Sequence, residues 1–138
     1  MAWHVGYRAT ISANDCDHLG HMNVSKYFAA ISDAMFSLQT ELGLTRTDVV
    51  SGRRLSFAVV HAESDFHAEV AEGEVVYMES ALAELGNKNA RFRHRLKRAA
   101  DDVVVFEAEF RAVCLNLETR RAVEIPAEVR DQAAAFME

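Results

Sequence analysis

The sequence predicts an α+β domain in which an antiparallel sheet of about five strands curls around one long central helix. Three observations carry that expectation: strict two-residue alternation at the start, one stretch of three-to-four-residue periodicity, and a run of Val-, Phe- and Tyr-rich segments after it. At 138 residues the chain has the size of one domain, expected to run over residues 1–138, and is long enough to bury a core.

Strand one is expected from Trp3 to Ala13. There Trp3, Val5, Tyr7, Ala9, Ile11 and Ala13 alternate with His4, Gly6, Arg8, Thr10 and Ser12, the period of a half-buried strand. From Val24 to Leu42 the apolar Val24, Tyr27, Phe28, Ile31, Ala34, Met35, Leu38 and Leu42 recur every three or four residues, and Gly43 follows as a stop. That pattern predicts a helix of about five turns. Its few charges, Lys26, Asp33 and Glu41, suit a helix covered over most of its circumference. Past a mixed segment, Arg54 to Val70 and Glu74 to Leu85 read as strands separated by AEGE; Arg91 to Arg98 and Val103 to Leu117 read as two more around the turn AADD. The tail PAEVRDQAAAFME returns to helix, with Pro126 in its first turn. A sheet this small has open edges, so edge-to-edge pairing of subunits is expected.

Composition narrows the function. Half of the residues are hydrophobic and 26% are charged, with one Pro and six Gly, a globular balance. A formal net charge of -6 argues against general affinity for nucleic acid or anionic membranes. No apolar run approaches the roughly 20 residues that span a bilayer. Cys16 and Cys114 make no disulfide framework, and the opening MAWHVGYRAT lacks the basic start and apolar run of a signal peptide. A reducing, cytoplasmic setting is the expectation.

The stretch DCDHLGHMN, residues 15–23, crowds Asp15, Cys16, Asp17, His18 and His21 between strand one and the helix. A metal would take Cys16, His18 and His21 with Asp15 or Asp17; no second ligand pair follows downstream, so no metal is expected. A purely structural loop needs only Asn23 as N-cap and Gly20 for a turn with positive φ. A catalytic loop would use the first backbone N–H groups of the helix, which lack intrahelical partners and carry partial positive charge, to stabilise an oxyanion. Asp17, six residues before the cap, is then nucleophile or base toward water. Such a kit suits a thioester, because a thiolate of pKa about 8.5 departs without a strong general acid. Neither a Ser-His-Asp arrangement nor a G-x-S-x-G elbow is evident.

The spacing Asp15-x-Asp17-x-x-Gly20-His21-Met22-Asn23-x-x-x-Tyr27 resembles the hotdog-fold acyl-CoA thioesterases of the 4-hydroxybenzoyl-CoA thioesterase type. The order of elements, LGNKNARFRHRL and the closing NLETRRAVEIPAEVR extend the resemblance over nearly the whole chain. It implies a hotdog, a central helix wrapped by an antiparallel sheet, with two protomers sharing one continuous sheet and a dimer of dimers as a larger assembly. It also implies an acyl-CoA substrate, coenzyme A being part of the substrate and not a cofactor. The active site would lie at the dimer interface, with the thioester carbonyl at the helix N-terminus and the acyl group in a tunnel between subunits. By position, Asp17 matches the catalytic carboxylate and the backbone N–H of Val24 the oxyanion donor, while Gly20, His21, Asn23 and Tyr27 match residues that shape the loop. His21 is a catalytic partner or a loop residue. Two departures bear on acyl specificity: Val24 stands where the family often has a second Asn, and Ser32 where it often has an acidic residue.

In RFRHRLKR, Arg91, Arg93, Arg95 and Lys97 alternate with Phe92, His94 and Leu96, placing the positive charges on one strand face. They are candidates for the phosphates of coenzyme A, Arg91 and Arg93 first. The competing expectation is that Arg93 and Arg95 face Glu109 and Glu107 across the hairpin. Apolar lining of the acyl site is expected from Phe28, Ile31, Phe57 and Val59, which equally suit a core. Two other functions stay in view. One is a non-catalytic acyl-thioester binding module in which Asp17 only holds the loop. The other is an acyl-thioester hydratase or dehydratase built on Glu63 and His67 of the second strand.

Overall fold

The computed structural model describes residues 2–138. Its sheet runs β1 (His4–Thr10), β2 (Leu55–Phe66), β3 (Val75–Leu85), β4 (Asn89–Arg98) and β5 (Val104–Asn116), in the spatial order β1-β3-β4-β5-β2; a two-residue β6 (Arg121–Ala122) hooks onto β5. All pairings between these strands are antiparallel. Helix α1 (Val24–Glu41) packs chiefly on β1 and β3, α2 (Arg46–Val50) follows it, and α3 (Ala127–Ala133) closes the chain. This is the hotdog arrangement, an antiparallel sheet curled around α1.

The helix begins and ends where the sequence says. Asn23 caps it by accepting from the Ser25 N–H at 2.9 Å, and Gly43 takes φ 94° just past its end, the left-handed turn that a side chain disfavours. One face, from Tyr27 through Ile31, Ala34 and Met35 to Leu38, is buried against the sheet. A stripe beside it is open: Val24, Phe28 and Phe36 are exposed, so one chain's sheet covers only part of the circumference.

Strand ends differ from expectation for local reasons. β1 stops at Thr10 because Ser12 and Asp15 form a reciprocal capping pair, the Ser12 N–H donating to Asp15 Oδ2 at 2.8 Å, which turns the chain before Ala13. β2 ends at Phe66, short of Val70, because Val70 leaves the sheet to accept the Met22 N–H with its carbonyl at 2.7 Å. The mixed segment contains α2, started by the same device between Thr45 and Asp48.

β2 is an edge. Gln39 of α1, 2% exposed, covers its beginning, accepting from Ser56 Oγ at 2.9 Å and the Phe57 N–H at 3.2 Å. Beyond that point Val59, Val60 and Phe66 stand exposed.

Candidate active site

The crowded loop folds as a small hairpin bridged between Cys16 and Met22. Its turn is made by Asp17 and Gly20, where the Gly20 N–H donates to the Asp17 carbonyl at 3.0 Å and Gly20 adopts φ 91°. Asp17 Oδ1 accepts the Leu19 N–H at 2.8 Å, the side-chain turn that Asp favours. Asp17 Oδ2 accepts from Asn23 Nδ2, also at 2.8 Å. The Leu19 N–H first, and then Asn23, hold the Asp17 carboxyl below the usual carboxylate range.

Asn23 thus joins the carboxylate to the helix end. Its Oδ1 caps Ser25, and its carbonyl accepts the Lys26 N–H at 2.9 Å. Among the described residues the Val24 N–H has no protein acceptor, which leaves it as an open donor of the first turn. Asp17, Val24, His21 and Tyr27 line one cleft of about 510 Å³ with Leu19, Phe66, His67 and Glu69. Leu19 and Phe66 give it apolar walls, 74% and 50% exposed. Tyr27 forms its floor, buried with its ring 5.0 Å from Phe66 and 4.9 Å from Phe106; burial raises its phenol pKa. His21 Nδ1–H donates to the Met22 carbonyl at 3.3 Å, which turns Nε2 toward Glu69 Oε1 at 4.0 Å.

An open N–H at a helix start beside an oriented carboxylate is an arrangement that can hold a developing oxyanion and direct water or itself at a carbonyl. Among the described residues no His, Cys, Asp and Glu side chains gather as a metal-holding group.

Other sequence candidates lie elsewhere. Glu63 sits on the outer face of β2 with His61 Nε2 at 3.0 Å, while His67 falls just past that strand, lines the cleft and reaches Glu107 at 3.7 Å. Glu63 and His67 therefore do not make the pair that hydratase chemistry would ask for. Arg91 and Arg93 project from the outer face of β4 and do not line the cleft. Arg91 bridges Glu84 and Glu109 at 3.0 Å each, Arg93 meets Glu138 at 2.8 Å, and Arg95 and Lys97 share Glu79. The expected register holds, with Arg93 opposite Glu109 and Arg95 opposite Glu107, although those long side chains choose other carboxylates. Ile31 and Phe57 are core, and Phe28 and Val59, with one side of Phe57, line a separate depression of about 270 Å³ along α1. Sequence reasoning missed Leu19, Phe66 and Glu69; the exposed apolar Leu19 inside a polar loop was the available signal.

This fold and site geometry fit one class. The model of the Thioesterase-like superfamily matches residues 11–133, and the chain belongs to that superfamily. No curated protein matches it. Among solved structures it is similar to a hypothetical protein of Staphylococcus aureus in complex with CoA, at 18% identity and TM-score 0.88 over 99% of this chain and 85% of that one. It is also similar to a gentisyl-coenzyme A thioesterase, at 22% identity and TM-score 0.78 over 93% and 98% of the two chains. A 1,4-dihydroxy-2-naphthoyl-CoA thioesterase from Synechocystis aligns at 17% identity and TM-score 0.82 over 96% of each chain. No helix is long and apolar enough to cross a membrane.

Proposed function

We propose that the protein is an acyl-CoA thioesterase of the 4-hydroxybenzoyl-CoA type, hydrolysing a small or medium acyl-CoA to the free acid and CoA. The observation that carries this reading is the Asp17–Asn23–helix connection: one Asn side chain caps α1 and orients a carboxylate that lines the same cleft as Val24, whose N–H is open. In this reading the thioester carbonyl oxygen accepts from Val24 N–H. Either Asp17 takes a proton from the water that attacks the carbonyl carbon and the thiolate leaves, or Asp17 itself attacks, the thiolate leaves, and water then hydrolyses the mixed anhydride to the free acid and restores the carboxylate. Low basicity favours a carboxylate already ionised at neutral pH, and His21 stands at the same cleft as a second proton acceptor. Coenzyme A is substrate, and no separate cofactor enters.

A homodimer belongs to the proposal. The open backbone edge of β2 and the apolar depression that Phe28, Phe36 and Val59 line beside it offer a surface that a second copy would cover. Superfamily membership and the CoA complex of the Staphylococcus aureus neighbour support a CoA thioester as ligand.

The second reading, a binding module, is favoured by one fact: both Asp17 oxygens already accept hydrogen bonds that hold the loop. Free-thiol release from a panel of aliphatic, hydroxylated and aromatic acyl-CoA thioesters separates the two. The enzyme turns over at least one class; binding without release on the entire panel would favour the module.

A further inference from the structure

Resting on the thioesterase reading, we propose that Glu69 makes the cleft select its acyl group by charge, favouring a cationic acyl group and rejecting one that carries a carboxylate. The lining that one protomer supplies includes the carboxylates of Asp17 and Glu69 and, among the described residues, no Lys or Arg. Cations nearby are engaged elsewhere: Lys26 Nζ lies 4.0 Å from Asp15, and the β4 arginines are paired on the outer face of the sheet. Each histidine at the cleft has its own carboxylate, His21 with Glu69 at 4.0 Å and His67 with Glu107 at 3.7 Å. The helix start contributes about half a positive charge, less than the two full negative ones it faces.

The walls act in the same direction. Phe66, half exposed on the wall, is an aromatic ring, a group whose face attracts cations and offers a carboxylate nothing. Of the two carboxylates, Asp17 is held by the Leu19 N–H and Asn23 as part of the loop itself. Glu69 has no hydrogen bond among the described residues, meets His21 only at 4.0 Å and is 82% exposed in its side chain, so it can turn from His21 toward what enters. Solvent screening keeps the effect moderate, about tenfold in kcat/KM for a unit charge at short range.

Two matched sets of thioesters test this: β-alanyl-, butyryl- and succinyl-CoA, and the 4-aminomethyl-, 4-methyl- and 4-carboxybenzoyl-CoA series. Thiol release is measured for the natural chain, Glu69→Gln and Glu69→Lys. The natural chain is expected to prefer ammonium over neutral over carboxylate members. Glu69→Lys is expected to raise the carboxylate-to-neutral ratio by about tenfold or more and to lower the ammonium-to-neutral ratio, both read as ratios within each variant so that any change in its overall turnover cancels. Ratios that Glu69→Lys leaves unchanged, with neutral thioesters still turned over, overturn the charge selection and leave the thioesterase reading standing. No turnover of any of the six by the natural chain overturns the thioesterase reading, and the charge selection with it.

Discussion

Asn23 serves two masters at once: its Nδ2 donates to Asp17 Oδ2 at 2.8 Å while its Oδ1 accepts the Ser25 N–H at 2.9 Å. Replacements can divide these roles. Asn23→Ser keeps a cap and loses the bond to Asp17, whereas Asn23→Ala loses both. Thermal melting of Asn23→Ala is expected to shift down by a few degrees, for a loss of about 1 kcal/mol, with Asn23→Ser close to the natural chain. Thioester hydrolysis is expected to fall at least about tenfold in both. Full activity in Asn23→Ser would break the link between cap and carboxylate.

The Asp17 carboxyl is held below its usual range, so it is expected to stay ionised throughout the mildly acid range. The sign follows from linkage: a carboxyl whose folded pKa is depressed adds stability above its unfolded value, about 3.9, and loses it as pH falls through the folded value. Rate profiles should therefore show no Asp17 limb above about pH 4, and Asn23→Ser should move that limb upward. A limb near pH 6 that vanishes in Asp17→Asn would contradict the geometry.

His94 is 1% exposed, with Nδ1 2.6 Å from Ser80 Oγ and Nε2 without a partner. Burial pushes its pKa down to about 3, far below the usual 6.5. The unfolded chain binds that proton first, so stability should drop as pH falls from about 6.5 toward 3, by up to about 1.4 kcal/mol per pH unit. Urea midpoints between pH 7 and 4.5 are expected to slope less in a His94→Phe, Ser80→Ala double variant. Parallel slopes would assign the acid sensitivity to other groups.

Gln39 fastens α1 to the start of β2 through Ser56 Oγ and the Phe57 N–H. Gln39→Leu strands both donors in a buried setting, and urea denaturation is expected to register a loss of about 1–3 kcal/mol. A change below about 0.5 kcal/mol would mean that water reaches this edge.

Much of this was legible beforehand, and the limits are physical. Periodicity marked α1 because Asn23 and Gly43 bound it chemically, and alternation marked β4 because its even residues from Ala90 to Leu96 are buried while the odd ones between them stay partly open. α2 escaped notice although Thr45 and Asp48 stand at capping-pair spacing, since five residues carry too little period to see. Asp17 was readable because the loop that holds it is local. Glu69 was not: it reaches the cleft only because Val70 accepts the Met22 N–H, a contact between segments far apart in the chain. The basic stripe was read correctly as a strand face, but only its β5 neighbour was considered: Arg95 takes Glu79, directly opposite on β3, and Arg93 reaches Glu138 at the far end of the chain.

The most direct test compares the natural chain with Asp17→Asn in thiol release and in thioester binding by calorimetry. Asparagine keeps the shape and can still meet the loop, so binding is expected within a few-fold of the natural chain while hydrolysis falls by about 10²–10⁴. Hydrolysis that survives in Asp17→Asn at the natural rate, with binding intact, would contradict the assignment of Asp17 as the group that attacks the thioester or activates water against it.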